Sequence, residues 1–267
     1  AKPYGFIETE TGFALDLERI ERSITPKTKI LVYNNYHNPT SAESDDEEMA
    51  RLARLCAEND LYVLSDEAYF DILYEGTGKS IASLPGMFER TVILYTFSKK
   101  FAMTGWRLGA AIGPVDIISQ ISRFNVNDES CTNQFVQWAA VEGLRGHMDD
   151  VRKMLDILKE RRDIAVDLLN SMEGVRVHRP NSTFYLFPNV TEAMAKLGIS
   201  DVEEFRKLIL DRTGVSFTTR NHFGTPLPGE DQKYIRLAYS GIDKEDIREG
   251  LLKMKELIES SNPCKAF

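Results

Sequence analysis

A run of β-branched and aromatic residues, Thr91-Val92-Ile93-Leu94-Tyr95, leads without a break into Thr96-Phe97-Ser98-Lys99-Lys100-Phe101-Ala102-Met103-Thr104-Gly105-Trp106-Arg107-Leu108-Gly109. The first part is the pattern of a short buried strand. A strand that delivers hydroxyls and a lysine at its C-terminal end sits where α/β sheets bind ligands. Gly105 and Gly109 allow tight bends or close backbone approach. Taken together the residues suggest a phosphate held by Thr96, Ser98 and Arg107, with an amine, Lys99, beside it. A guanidinium fork meets a phosphate with two parallel hydrogen bonds, which a lysine cannot do. Singly, each of these residues also reads as part of a solvated loop around a core tryptophan, Trp106.

The rest of the chain repeats the strand-then-helix alternation of βαβ units. Lys29 to Tyr33 and Leu61 to Leu64 are strand candidates, with Ala110 to Gly113 a further short run. Helices are expected over Leu15 to Ile20 and after Ser44, where Asp45, Asp46, Glu47 and Glu48 suit the positive end of the helix dipole. Asp149 to Met172 reads as one long charged helix with Met154, Leu155, Leu158, Ile164, Ala165 and Leu168 on its apolar side. Beyond Gly174 the character changes. Val175 to His178, Thr183 to Phe187 and Tyr234 to Tyr239 read as strands, Ser200 to Leu210 as a helix capped by Ser200, and Lys244 to Ile258 as a closing helix. The expected organisation is α/β: a mainly parallel three-layer sheet domain over 1–150 and a smaller α+β domain over 151–267.

A net charge of −8 over 267 residues argues against nucleic acid or an anionic membrane surface as partner. No apolar run reaches membrane-spanning length. The three cysteines, Cys56, Cys131 and Cys264, are far apart and lack metal-site spacing, so free thiols in a reducing cytosol and no bound metal are expected.

The string from Ser98-Lys99 to Met103-Thr104-Gly105-Trp106-Arg107-Leu108-Gly109 resembles the lysine signature of the fold-type I, pyridoxal 5′-phosphate (PLP) dependent aminotransferases of class I/II. What that resemblance implies can be carried over residue by residue. Lys99 bonds the cofactor aldehyde and later moves the substrate proton. Asp66, in Ser65-Asp66-Glu67-Ala68-Tyr69, is similar to the family's Asp-x-x-Tyr element and holds the pyridine nitrogen protonated, since an ion pair favours the charged form of both partners. Tyr69 donates to the ring oxygen, as does Asn38 in Asn38-Pro39-Thr40-Ser41, although Ser41 stands where the family usually has glycine. Thr96, Ser98 and Arg107 take the phosphate. Arg236, in Tyr234-Ile235-Arg236-Leu237-Ala238-Tyr239, takes the substrate α-carboxylate. Read alone, Asp66 is also a helix cap, Tyr69 a packed ring, and Arg236 the partner of some acid within the chain. Phe184 and Tyr185 read as core, His222 as a surface residue near the substrate loop, and Lys100 as solvated or near the phosphate.

The implied activity is transfer of an amino group from an L-amino acid to a 2-oxo acid by a ping-pong route, in a cytoplasmic homodimer. Other readings are a C–S lyase, decarboxylase or racemase on the same fold, or a non-catalytic relative. The resemblance corresponds to the later part of the family's usual length. The glycine- and serine-rich turn that completes the phosphate site, and the aromatic ring that stacks on the cofactor, have no match. The expectation is therefore a fragment, one piece of a broken polypeptide, or a chain whose missing part a partner supplies.

Overall fold

The computed structural model describes residues 1–260. Backbone contacts divide the chain into two compact units. The first comprises residues 1–8, 14–37 and 42–155; the second comprises 9–13, 38–41 and 156 onward.

In chain order the first unit carries β1 (Phe6–Glu8) and β2 (Phe13–Leu15), a two-stranded sheet, then α1 (Leu17–Ser23) and β3 (Ile30–Tyr33). Leu15 thus ends a strand, and α1 starts two residues later than its apolar spacing suggests because Asp16 caps it, accepting the Arg19 N–H at 2.9 Å. Helix α2 (Asp46–Glu58) follows, capped by Asp45 rather than opened at Ser44. Next come β4 (Tyr62–Asp66), β5 (Thr91–Thr96), the one-turn helix α3 (Phe97–Lys100) and β6 (Gly109–Ile112). Two further helices, α4 (Val115–Asp128) and α5 (Gln134–Arg145), occupy a region left blank by the sequence reading.

The main sheet has the order β3-β4-β5-β6. Its first three strands are parallel, and β6 returns antiparallel to β5. One face is covered by α2: Leu31, Tyr33, Leu61 and Val63 from the strands pack with Met49, Leu52 and Cys56 from the helix. Cys56 is buried there, which pushes its thiol up to about 11; Cys131 is exposed, and Cys264 lies outside the described residues. The alternate strand residues Ile30, Val32 and Tyr62 are exposed, as the two-residue period of a strand dictates when one face alone is covered.

The long helix α6 (Asp149–Asn170) crosses the division at 155/156. Its buried residues are Leu158, Arg162, Ala165, Val166 and Leu169, one position round from the expected stripe at Ile164 and Leu168. The second unit then has β7 (Tyr185–Leu186), α7 (Thr191–Lys196), α8 (Val202–Thr213), β8 (Thr218–Thr219), β9 (Ile235–Ala238) and α9 (Lys244–Glu259), with an antiparallel sheet of order β7-β9-β8. Two expected strands shrink. Residues 175–178 contribute a single bridge, Arg176 to Asn189. The strand expected from Thr183 starts at Tyr185, because Thr183 has φ 64°, a left-handed conformation that a strand cannot continue. Asp201, not Ser200, caps α8, and Gly214 ends it with φ 75° and its N–H on the Leu210 carbonyl.

Candidate active site

In the first unit, parallel pairing of β4 and β5 sets Asp66 opposite Leu94, so the C-terminal ends of both strands lie side by side. Asp66 is the last residue of β4. Its Oδ1 accepts the Ala68 N–H at 3.2 Å, and the chain turns instead of starting a helix, so Asp66 caps a turn. Its Oδ2 has no protein donor among the described residues. The Glu67 N–H donates to the Leu94 carbonyl and binds this turn to β5. The Glu67 carboxyl is buried among Ser65 and Ser80, whose hydroxyls donate to it; burial raises its pKa against the lowering effect of those bonds.

Tyr69 is carried by the same turn and is 4% exposed. Strand β5 ends at Thr96, which caps α3: its Oγ1 accepts the Ser98 N–H at 3.3 Å and lies 3.1 Å from Ser98 Oγ. Lys99 follows on α3, its Nζ 5.6 Å from the centroid of the Tyr69 ring. Two residues thirty positions apart are thereby brought together. The chain leaves α3 through a 3-10 turn over Thr104–Trp106 and reverses at Arg107, which has φ 56°. Strand β6 then sets Gly109 opposite Thr96, returning Arg107 to the end of the sheet that carries Lys99. Gly109 suits this return, since a Cβ there would make a tight contact of 3.0 Å with the Tyr95 carbonyl oxygen.

Arg107 donates from Nη1 to the Thr104 carbonyl at 3.0 Å, and its other donors have no protein acceptor among the described residues. An open cavity of about 870 Å³ lies against it, lined also by Trp106, Cys131, Thr132 and Phe135. Two expectations are corrected here. Trp106 is 48% exposed instead of core, because the turn that carries it faces that cavity. Lys100 is not solvated: its side chain is 17% exposed and its Nζ pairs with Asp71 at 2.9 Å. As a donor set, Thr96, Ser98, Lys99, Arg107, Asp66 and Tyr69 fit what PLP requires: hydroxyls and a fork for a phosphate, an amine for an aldehyde, and an acid with an open oxygen for a ring nitrogen.

The second unit holds the other candidates. Asn38 precedes a cis proline, Pro39, and Ser41 has φ 58° where the related motif has glycine. The serine is held there by its own side chain, with Oγ 2.6 Å from Thr183 Oγ1 and donating to the Tyr185 carbonyl at 3.0 Å. Arg236 on β9 donates from Nη1 to Asn38 Oδ1 at 2.9 Å. Its guanidinium carbon lies 4.4 Å from the Tyr185 ring centroid and 4.9 Å from that of Phe223. Its Nε is buried without an acceptor, and no carboxylate pairs with it among the described residues. The intramolecular ion pair is therefore not formed, and a carboxylate ligand would satisfy the open donor.

Sequence reasoning missed both rings. Tyr185 is buried as expected, but its ring is a platform for Arg236, and Phe223 went unassigned. No local sequence signal joins either ring to Arg236, since Tyr185 and Phe223 lie far from it along the chain. His222 caps the 3-10 turn Arg220–Phe223 that carries Phe223; its Nδ1 accepts the Thr219 N–H at 3.2 Å.

Among the described residues, no helix is long and apolar enough to cross a membrane, and no group of His, Cys, Asp and Glu could hold a metal. The family profile "Aminotransferase class I and II" matches residues 4–253. The aspartate aminotransferase of Sulfurisphaera tokodaii is 34% identical over 255 residues, covering 93% of this chain and 61% of the relative. The aromatic-amino-acid aminotransferase 2 of Thermococcus litoralis is 35% identical over 257 residues, covering 93% and 64%. The crystal structure of an aromatic aminotransferase from Pyrococcus horikoshii OT3 superposes with a TM-score of 0.84 at 31% identity, over 96% of this chain and 65% of that one. The chain thus spans somewhat under two thirds of the length of these relatives. With lysine, acid and arginines where the motif requires them, and a match over nearly all its length, the chain belongs to the class I and II aminotransferases.

Proposed function

We propose that the protein is an amino-acid aminotransferase that uses PLP to move an amino group from an L-amino acid to a 2-oxo acid in two half-reactions. The observation that carries this reading is the convergence of Asp66, Tyr69, Thr96, Ser98, Lys99 and Arg107 at one end of the first unit's sheet. In it, residues 1–150 form the cofactor-binding domain and 151–267 the smaller domain.

PLP, when bound, supplies the aldehyde that takes up the amino group and the ring that draws electrons from the substrate Cα. The protein's own groups do the rest. Arg107, Thr96 and Ser98 bind the phosphate, the fork of Arg107 giving it direction. Asp66 turns its open oxygen to the pyridine nitrogen and holds a proton there. Tyr69 would donate to the ring oxygen. Lys99 would hold the cofactor through its aldehyde and, as a neutral amine, would take a proton from the substrate Cα and return it. Arg236 would grip the substrate α-carboxylate, with the Tyr185 and Phe223 rings against its guanidinium. The substrate class is accordingly α-amino acids with a free carboxylate.

We place the enzyme in the cytoplasm as a homodimer. The exposed side chains of Phe124 and Val126 on α4, and of Phe135 and Trp138 on α5, support a protein partner surface.

The test is to add PLP to the purified protein, follow its visible absorbance, and then add L-amino acids singly. The expected result is a visible band that changes with the amino acid, formation of the matching 2-oxo acid, and turnover in Asp66→Asn lowered by ~10²–10⁴-fold with folding intact. Near-normal turnover in Asp66→Asn would reduce the acid to a turn cap.

A further inference from the structure

Three side chains beside the candidate site form a cluster that the reaction as described leaves unused. Tyr95 Oη donates to Asp71 Oδ2 at 2.8 Å, and Lys100 Nζ donates to Asp71 Oδ1 at 2.9 Å. The ion pair is sheltered, with side chains 17% and 24% exposed. Burial, and then the bond to Asp71, raise the Tyr95 phenol, so it stays protonated and donates. Each member is a near neighbour of a candidate site residue: Tyr95 precedes Thr96, Lys100 follows Lys99, and Asp71 lies two residues after Tyr69. One carboxylate thus fastens the turn bearing Tyr69 to the strand bearing Thr96 and the helix bearing Lys99.

We propose that Asp71 is a positioning residue, which locks the Tyr69 turn onto the Lys99 helix and neutralises the cation of Lys100, the residue next to Lys99 in the chain. This rests on the reading of Lys99 as the reactive lysine. The physical reason is charge balance. Lys99 must lose its proton to act, and a cation at the next residue lowers the pH at which it does so, whereas an uncompensated anion raises it. A paired Asp71 and Lys100 together carry no net charge, so the two influences on Lys99 offset each other. The other charged or titratable groups on the surrounding elements are Asp66, Glu67 and Tyr69 on β4 and its turn, Tyr95 on β5, Arg107 after the 3-10 turn, and Glu142 and Arg145 on α5, the helix whose Gly143 packs on Phe101. All of them stay unchanged in the test.

The test compares the full chain with Asp71→Asn, Lys100→Met, the double variant and Asp71→Glu. Without added PLP, the rate at which acetic anhydride labels Lys99 is mapped by mass spectrometry against pH. With PLP, the pH dependence of the visible band is followed. Asp71→Asn should move the Lys99 profile to lower pH by about half to one unit, a three- to tenfold change in the neutral fraction, for charges within roughly 10 Å. Lys100→Met should move it to higher pH by a similar amount, while the double variant and Asp71→Glu should return close to the parent. A cluster that merely stabilised the fold would shift both single variants the same way, or neither, and either result overturns the proposal. If Asp71→Asn does not fold, the direction of the Lys100→Met shift decides alone. If no visible band forms with PLP, the functional reading fails, while the labelling profile still decides this one.

Discussion

Two arginines are assigned to anions, Arg107 in the first unit and Arg236 in the second, and they are held by opposite means. Arg107 is placed by its backbone: its left-handed φ of 56° ends a 3-10 turn, its side chain is exposed, and one bond runs back to the Thr104 carbonyl. Arg236 is placed by its neighbours, between the Tyr185 and Phe223 rings and against Asn38, with a buried Nε that has no acceptor. The difference concerns where the cost of readiness is stored. A left-handed non-glycine residue costs about 1–2 kcal/mol of backbone strain whether or not an anion arrives. A buried open donor costs about 1–3 kcal/mol that an anion removes on binding. Arg236 should therefore discriminate sharply between bound and empty states, and Arg107 less so.

The larger of two expected effects on binding follows from that contrast. Arg236→Lys keeps the charge but lacks the planar guanidinium that contacts the two rings and offers two parallel donors. Loss of one charged hydrogen bond, roughly 1.5–3 kcal/mol, should raise the KM for the amino acid about tenfold to a hundredfold and leave the PLP titration unchanged. Arg107→Lys should do the reverse and more mildly, weakening PLP about five- to tenfold, since an exposed fork exchanges one bond with water for another. Steady-state kinetics beside a cofactor titration measure both. If each variant weakens both ligands equally, the division of labour between the two arginines is wrong.

The legibility of the molecule follows the same contrast. The grouping of Thr96, Ser98, Lys99, Arg107 and Asp66 was readable because it sits in local chemistry: a strand end, hydroxyls, an amine and a fork at fixed spacing. What surrounds Arg236 was not, because Tyr185 and Phe223 reach it from positions 51 and 13 residues earlier, and no periodicity encodes such a meeting. Lys100 was misjudged for the same reason, its partner Asp71 being 29 residues upstream. Helices α4 and α5 escaped because the pattern that reveals a helix is one buried stripe. Helix α4 buries no residue, and Phe135 and Trp138 of α5 point outward. Thr183 shortened β7 through its backbone, which composition does not announce.

Smaller effects sharpen the picture of how the Asn38 segment is held. Ser41→Ala keeps the left-handed strain and leaves Thr183 and the Tyr185 carbonyl without their partner, so it should cost about 1–2 kcal/mol in urea unfolding. Ser41→Gly loses the same bonds but relieves the strain, and should cost less. A larger loss in the glycine variant would mean that the hydroxyl bonds are not what secures this turn.

The smallest effect is a slope. The folded pKa of the Glu67 carboxyl is raised, chiefly by burial. The native state thus keeps a proton that the unfolded chain gives up, and stability drains away as pH rises through the ordinary carboxylate range to the raised value. Glu67→Gln lacks that proton exchange. Urea midpoints measured from pH 4 to pH 7 should show the parent losing ground to the variant as pH rises; parallel curves would mean that burial does not govern this acid.

The central claim, that Lys99 is the lysine that takes the cofactor, is tested most directly by reduction. The protein is loaded with PLP, treated with borohydride, digested and mapped. The account predicts loss of the visible band and a single pyridoxyl group on Lys99. A pyridoxyl group on Lys100, or bound PLP that borohydride leaves unattached to either residue, would contradict it.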